Sequence, residues 1–383
     1  MAKAGSVSRF LRNLLRAGKA QHKLISSLAA ATAPGSAKRA ATPGQKKSRQ
    51  RKQILEVRPN KRPDVTSAPG KWTASDYADS QQSPEGHPLR LNYWLYIPDR
   101  IPAAVTRHGW PLIVMLHGCH QSATQFAKGT RMNHLAESKG YAVLYPQQSL
   151  SVQAHRCWRW YSPTVQEGGG EAGALVALIE MICAQHRIDR RRIYASGISA
   201  GAGMAAILAL NHPTLFAAVG LHSGPVFGAG RNAIDGLRVM RHGSGSSHDA
   251  AIDKVIERHA MRSPLAGASM FPVMPAMLIH GDHDMAVHPV NQDQLTRQWL
   301  RINNMPTRGP DQRITRKPPG RGGTRNACET HDYLAGSKPI VRVVRITGLG
   351  HEWSGGDPSE RFHAATGPDA SLMVVSFFGK HRR

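Results

Sequence analysis

From residue 90 onward the apolar positions come in short runs, and the runs switch between two periods. Arg90 to Pro98 alternates apolar and polar residues and is rich in aromatics, the pattern of a half-buried strand. Pro111–Leu116 and Tyr141–Tyr145 are continuously apolar, ended by His117-Gly118 and Pro146, and read as strands buried on both faces. Arg192–Ser196, Phe216–His222, Ala276–His280 and Val341–Ile346 read as further short strands. Between them, Phe126–Lys139, Gly173–His186 and Ala200–Asn211 carry apolar residues at helical spacing, and Ala370–Phe378 closes the chain in the same way. Strands alternating with helices predict an α/β fold: a mainly parallel central sheet with helices on both faces. The expected organisation is a tail over residues 1–71 and one catalytic domain over 72–383.

The tail reads differently. Ala33–Lys71 is rich in Pro, Gly, Ser, Lys and Arg with little apolar periodicity, so too little surface is available for burial to offset ordering entropy. Ahead of it, Arg9–Leu28 has Phe10, Leu11, Leu14, Leu15, Leu24, Ile25 and Leu28 at helical spacing, flanked by Arg9, Arg12, Arg16 and Lys19. That is a short basic amphipathic helix, suited to an anionic membrane or granule surface, with a solvated tail as the plainer alternative. Leu24–Ala33 is a weak, late apolar stretch interrupted by Ser26 and Ser27, and makes no convincing secretory signal.

Charge first points toward nucleic acid: 50 Lys and Arg against 25 Asp and Glu give +25 over 383 residues. Its distribution changes that picture. Residues 1–71 carry 17 basic and 2 acidic residues, a net of +15, and residues 301–325 carry 7 and 1, a net of +6. The remainder is +4. The excess therefore describes appendages, and residues 306–325 are expected to form an exposed basic surface insertion. No groove-reading or RNA-binding signature accompanies the charge, so no specific nucleic-acid partner is expected. No apolar run approaches the 18 or more residues of a membrane span. Four cysteines are too few for a disulfide scaffold and suggest no zinc site; no metal or cofactor is expected.

The chemistry concentrates at strand ends. Gly197-Ile198-Ser199-Ala200-Gly201 follows a strand and opens a small-residue helix, the strand–elbow–helix context in which a G-x-S-x-G serine becomes a nucleophile. Ser196 lies within the strand end and is not favoured. In this architecture an acid and then a histidine follow on loops after later strands. The strand Ala276–His280 ends in Gly281-Asp282-His283-Asp284, where position alone leaves Asp282 and Asp284 open. The strand Val341–Ile346 leads to His351, the expected general base, whereas His280 and His283 read as structural or supporting residues. The oxyanion hole is expected from the backbone N–H of Ala200 and one N–H of the loop His117-Gly118-Cys119-His120, with Cys119 first and His120 second.

LHGCHQSA (Leu116–Ala123), YPQQS (Tyr145–Ser149), RCWRWY (Arg156–Tyr161), GISAGAGMA (Gly197–Ala205), HGDHDMAV (His280–Val287) and GLGHEWSGG (Gly348–Gly356) together resemble the polyhydroxybutyrate (PHB) depolymerase family of esterases, α/β-hydrolases related to feruloyl and acetylxylan esterases. The resemblance runs from about residue 73 to 380. It implies an α/β-hydrolase fold, a catalytic triad of Ser199, Asp284 and His351, with Asp284 taken over Asp282, and Cys119 as an oxyanion donor. It implies an ester substrate, either short-chain polyhydroxyalkanoate oligomers or polyester, with feruloyl or acetylxylan-type esters as the alternative. It also suggests an extracellular setting, against which the weak leader keeps a cytoplasmic one open. A different class of reading makes the hydrolase domain a scaffold for a granule- or membrane-binding tail. Trp158, Trp160 and Trp353 are expected either to line an acyl or polymer cleft or to plug the core beneath it. Cys119 and Cys157 fall in the two loops expected near the site and are expected to pair, with Cys183 in the core and Cys328 in an exposed loop.

Overall fold

Among the described residues, ten segments hydrogen-bond into one sheet: β1 (Lys71–Gln82), β2 (Pro88–Ile97), β3 (Trp110–Leu116), β4 (Ala142–Gln147), β5 (Ile188–Ile198), β6 (Ala218–His222), β7 (Ala276–Gly281), β8 (Gln312–Lys317), β9 (Cys328–Ala335) and β10 (Lys338–Ile346). Their spatial order is β1-β2-β4-β3-β5-β6-β7-β10-β9-β8. From β4 to β10 every neighbouring pair is parallel, and antiparallel strands close both edges. The computed structural model describes residues 68–82, 88–245, 248–262 and 271–383. The helix expected over Arg9–Leu28, and nearly all of the basic tail, lie outside the described residues. No helix among the described residues is long and apolar enough to cross a membrane.

The buried runs make the sheet two-faced. On β3, Leu112, Val114 and Leu116 enter one core layer and Ile113 and Met115 the other; on β7, Ala276 and Leu278 oppose Met277 and Ile279. Alternate side chains of a strand point to opposite faces, so a strand covered on both sides must be apolar at every position. The first layer is closed by helices Glu171–Gln185, Ala200–Asn211 and Val290–Ile302 through residues such as Leu178, Leu208 and Trp299. The second is closed by Ala123–Thr130, Met132–Lys139 and Ala370–Phe378 through Phe126, Met132 and Phe377.

Three expectations change. The single helix expected over Phe126–Lys139 is two, broken at Arg131, which adopts φ 52° and ψ 25°. The carbonyls that would continue the helix are engaged elsewhere: Gly129 O accepts from Asp357 N–H at 2.8 Å and Thr130 O from Ser371 Oγ at 2.6 Å. Residues 306–325 are not simply a loop, because they include the edge strand β8. Its residues are mostly exposed, and Arg313 and Arg316 pair with Asp332 and Glu329 directly across on β9, at 3.0 and 2.6 Å. A charged strand of this kind is stable at an edge, where both faces meet water and the charges discourage further pairing. At the other edge, Lys71 already pairs with Ile97 and Gly70 N–H donates to the Tyr96 hydroxyl, so ordered sheet begins before residue 72.

Candidate active site

The loops that leave β3, β5, β7 and β10 meet at the carboxyl ends of the parallel strands, where open α/β sheets build their sites. Ser199 sits between β5 and the helix Ala200–Asn211 at φ 58° and ψ −124°, a region that costs a non-glycine residue on the order of 1–3 kcal/mol. Its N–H donates to His222 O at 2.9 Å and its carbonyl accepts from Gly203 N–H at 3.0 Å, so the turn is held from both sides. The two motif glycines are required by contact: a Cβ on Gly201 would lie 2.0 Å from the Leu116 carbonyl oxygen, and one on Gly197 2.5 Å from the same atom. Ser196 instead donates its hydroxyl to Gly220 O within the sheet.

Position alone left two aspartates, and the structure gives them different surroundings. Asp284 is buried; its Oδ1 accepts from Ala286 and Val287 N–H at 3.0 and 2.9 Å, and its Oδ2 lies 2.7 Å from His351 Nδ1. Burial alone would push this carboxyl up. The charge and hydrogen bond of His351, with His280 and the Val287 N–H, outweigh it and bring the pKa to about 2. His280 Nε2 contacts Val287 O at 2.8 Å and stands 3.5 Å from Asp284 Oδ2, a supporting position. Asp282 is half-exposed and accepts from Gly348 N–H at 2.6 Å, anchoring the start of the histidine loop. His283 is exposed.

On the β3 loop, His120 N–H is taken by His155 O at 2.7 Å, and Gly118 N–H by Gln121 Oε1 at 2.8 Å. The Cys119 N–H meets no acceptor among the described residues, which favours it over His120 as an oxyanion donor. Cys119 and Cys157 form a disulfide with Cα atoms 4.3 Å apart, tying this loop to Arg156–Tyr161. Cys328 is buried in β9, not exposed, because its strand lies inside the β8 edge; Cys183 is half-buried on its helix.

Beneath the loop, Gln148 N–H donates to His117 Nε2, so the ring proton sits on Nδ1 and reaches Gly118 O at 2.8 Å. Burial lowers His117 to about 4, with the Arg156 charge adding to it against the Gly118 bond, and burial with His280 and His351 lowers His222 to about 3. Unfolded, both titrate near 6.5. Between those values the unfolded chain binds more protons, so stability falls as pH falls through the window. Calorimetry from pH 8 to pH 4 is expected to show a Tm that holds above about pH 7 and declines steadily below it; a Tm that rises on acidification would contradict neutral, buried histidines.

Gly118, Cys119, Gln121, Ile198, Ser199, His351 and Phe362 wall one small pocket. Ser199 and His351 thus meet in one cavity. No hydrogen bond joins Ser199 Oγ to His351 here; contacts of this kind tighten with substrate bound. The three tryptophans do not line the pocket. Trp158 and Trp353 are fully buried and Trp160 nearly so. Trp158 Nε1 donates to His117 O, Trp353 Nε1 donates to Ser371 Oγ while its ring stacks on His222, and Trp160 packs on Gly203. An indole whose N–H finds a buried partner can leave water entirely, as those of Trp158 and Trp353 do. The pocket aromatic is Phe362, at φ 63°, with its ring 6.4 Å from that of His351. No sequence pattern singled it out, since it lies beyond the last motif. Among the described residues, no cluster of three or more His, Cys, Asp or Glu is arranged to hold a metal ion.

A family model described as esterase PHB depolymerase matches residues 91–316. Poly(3-hydroxyalkanoate) depolymerase C of Paucimonas lemoignei is 28% identical over 282 residues, 73% of this chain and 63% of that protein, less than two thirds of its length. Feruloyl esterase B of Thermothelomyces thermophilus is 27% identical over 219 residues, 56% of this chain and 72% of that one. Among solved structures, an acetyl xylan esterase from Aspergillus awamori superposes with a TM-score of 0.55 at 19% identity, covering 80% of this chain and 99% of that one. That likeness shows the α/β-hydrolase type of sheet and helices.

Proposed function

The chain belongs to the PHB depolymerase family of esterases, and on that premise we propose that it hydrolyses carboxylic esters with Ser199 as nucleophile, His351 as general base and Asp284 as the acid. Short-chain polyhydroxyalkanoate oligomers or related short-chain esters are the proposed substrates. The observation that carries the reading is the 2.7 Å contact between Asp284 Oδ2 and His351 Nδ1, beside a serine held on a strained elbow in the same pocket.

In this reading the Asp284 carboxylate keeps the His351 proton on Nδ1, leaving Nε2 to accept the Ser199 hydroxyl proton as Oγ attacks the ester carbonyl. The Cys119 and Ala200 N–H groups receive the oxyanion. They are fixed before the reaction and need no reorganisation as charge develops. The imidazolium then gives its proton to the departing alcohol, and water, deprotonated by the same ring, releases the acyl group.

A rate panel tests this: p-nitrophenyl acetate, butyrate and octanoate, a linear 3-hydroxybutyrate trimer, methyl ferulate and acetylated xylan. The butyrate ester and the trimer are expected to have the highest kcat/KM among their classes. A preference for methyl ferulate would overturn the substrate assignment, and no hydrolysis of any ester would overturn the enzymatic one.

A further inference from the structure

Next to residues that wall the pocket stand positive charges that no carboxylate among the described residues pairs. Arg361 immediately precedes Phe362, and its guanidinium lies 5.2 Å over that ring. On the loop that carries Cys119, the His120 ring packs 4.9 Å from that of His155, the residue before Arg156. The two segments are stitched together, since Gln121 Nε2 donates to Arg361 O at 3.1 Å and the disulfide holds Arg156 beside the oxyanion loop. Among the described residues no carboxylate lies within ion-pair distance of Arg156 or Arg361. The acids nearby in the chain are engaged elsewhere: Glu360 with Lys128 at 2.9 Å, Glu171 with Arg159 at 2.8 Å, and Asp357 with Ser359 N–H. Glu352 interacts with His351 and Asp284, and burial pushes its carboxyl up.

Two polar atoms of this group, His120 Nε2 and Arg156 Nε, are buried with no hydrogen-bond partner among the described residues. Buried polar atoms without partners are uncommon and call for an explanation. Burial, His155 and Arg361 together lower His120 to about 4, so a neutral imidazole sits among cations. An anion there would be attracted by both arginines and would supply an acceptor for the orphaned donors.

The geometry points to a carboxylate subsite, made by Arg361 with His120 and Arg156, on the leaving-group side of the pocket, so that the favoured esters are those whose alcohol portion bears a free carboxylate. This rests on the esterase reading above and sharpens its substrate. In a linear 3-hydroxyacid oligomer, the terminal carboxylate carbon is separated from the last ester carbonyl carbon by three chain atoms. With that carbonyl at Ser199, the leaving oxygen faces His351, and the carboxylate falls toward Phe362 and Arg361. Hydrolysis there breaks the acyl–oxygen bond. The departing alkoxide takes its proton from His351, and water supplies hydroxide to the acyl group and a proton to the ring. The products are a shortened oligomer acid and one hydroxyacid carboxylate.

The test compares the linear 3-hydroxybutyrate trimer as free acid with its methyl ester, using p-nitrophenyl butyrate as reference, on the full chain and on Arg361→Gln. The wild type is expected to prefer the free acid, and R361Q to lower the acid-to-ester ratio of kcat/KM by about tenfold, the effect of losing one charge-assisted hydrogen bond. Raising NaCl on the wild type is expected to lower the same ratio, a readout that does not depend on any variant folding. Equal kcat/KM for the two trimers, or a ratio unmoved by both salt and R361Q, overturns the subsite while leaving the esterase intact. Failure to cleave any of the three esters overturns the esterase reading itself, and the subsite with it.

Discussion

Replacing Ser199 with alanine is expected to lower kcat on a short-chain p-nitrophenyl ester by on the order of 10⁴–10⁶, with little change in KM or in thermal stability. The size of the loss follows from what the hydroxyl does and from what stays behind. Nothing else in the pocket wall of Gly118, Cys119, Gln121, Ile198, His351 and Phe362 offers a hydroxyl to form the acyl-enzyme. The Cys119 and Ala200 N–H groups and the binding surface remain, so a residual rate above that in water should survive. Stability should hold because the turn is fixed through backbone bonds to His222 O and from Gly203 N–H, which alanine keeps. Ser196→Ala makes the contrast. It removes a buried hydroxyl bonded to Gly220 O, so it should cost stability rather than chemistry. Steady-state kinetics with a thermal-melt control reads both, and a Ser199→Ala protein with undiminished kcat would remove the nucleophile from the scheme.

What could be read from the sequence is what local physics determines. The strands buried on both faces announced themselves as apolar runs, and the helices Ala200–Asn211 and Ala370–Phe378 coincide with their sequence boundaries because small or apolar residues fill them end to end. The order of strand ends and their loops along the chain pointed to Ser199 and His351 as the proposed nucleophile and base, but it left Asp282 and Asp284 open, and only the family resemblance favoured Asp284. What escaped depends on partners distant in sequence. The break at Arg131 is imposed by Asp357 and Ser371, more than 200 residues downstream. The hairpin β8–β9 is held by Arg–Asp and Arg–Glu pairs across strands, and so carries no apolar signature. Trp158, Trp160 and Trp353 turn to the core through partners elsewhere in the chain, His117 O, Gly203 and Ser371 Oγ respectively. Phe362 reaches the pocket through a backbone conformation that no residue preference encodes.

The second large effect separates the two aspartates. Asp284→Asn is expected to lower kcat by about 10⁴, the scale seen when the acid of such a triad becomes an amide, whereas Asp282→Asn should cost less than about tenfold. The reason is in the hydrogen bonds. Ala286 and Val287 N–H both donate to Asp284 Oδ1, so an asparagine must turn its carbonyl oxygen toward them. Its amino group then points at His351 Nδ1 and donates to it. That traps the ring proton on Nε2, the atom that has to accept from Ser199, so the base is present in the wrong tautomer. The imidazolium formed during attack also loses a charge that the carboxylate, held near pKa 2, would supply across the working pH range. Asp282 accepts from Gly348 N–H and lies 4.0 Å from the exposed His283 Nε2 at a half-exposed site, and asparagine retains the acceptor role. Ranking the two variants by kcat/KM at pH 7 to 8 decides between them. If Asp282→Asn proves the more damaging, the acid has been assigned to the wrong side of the turn.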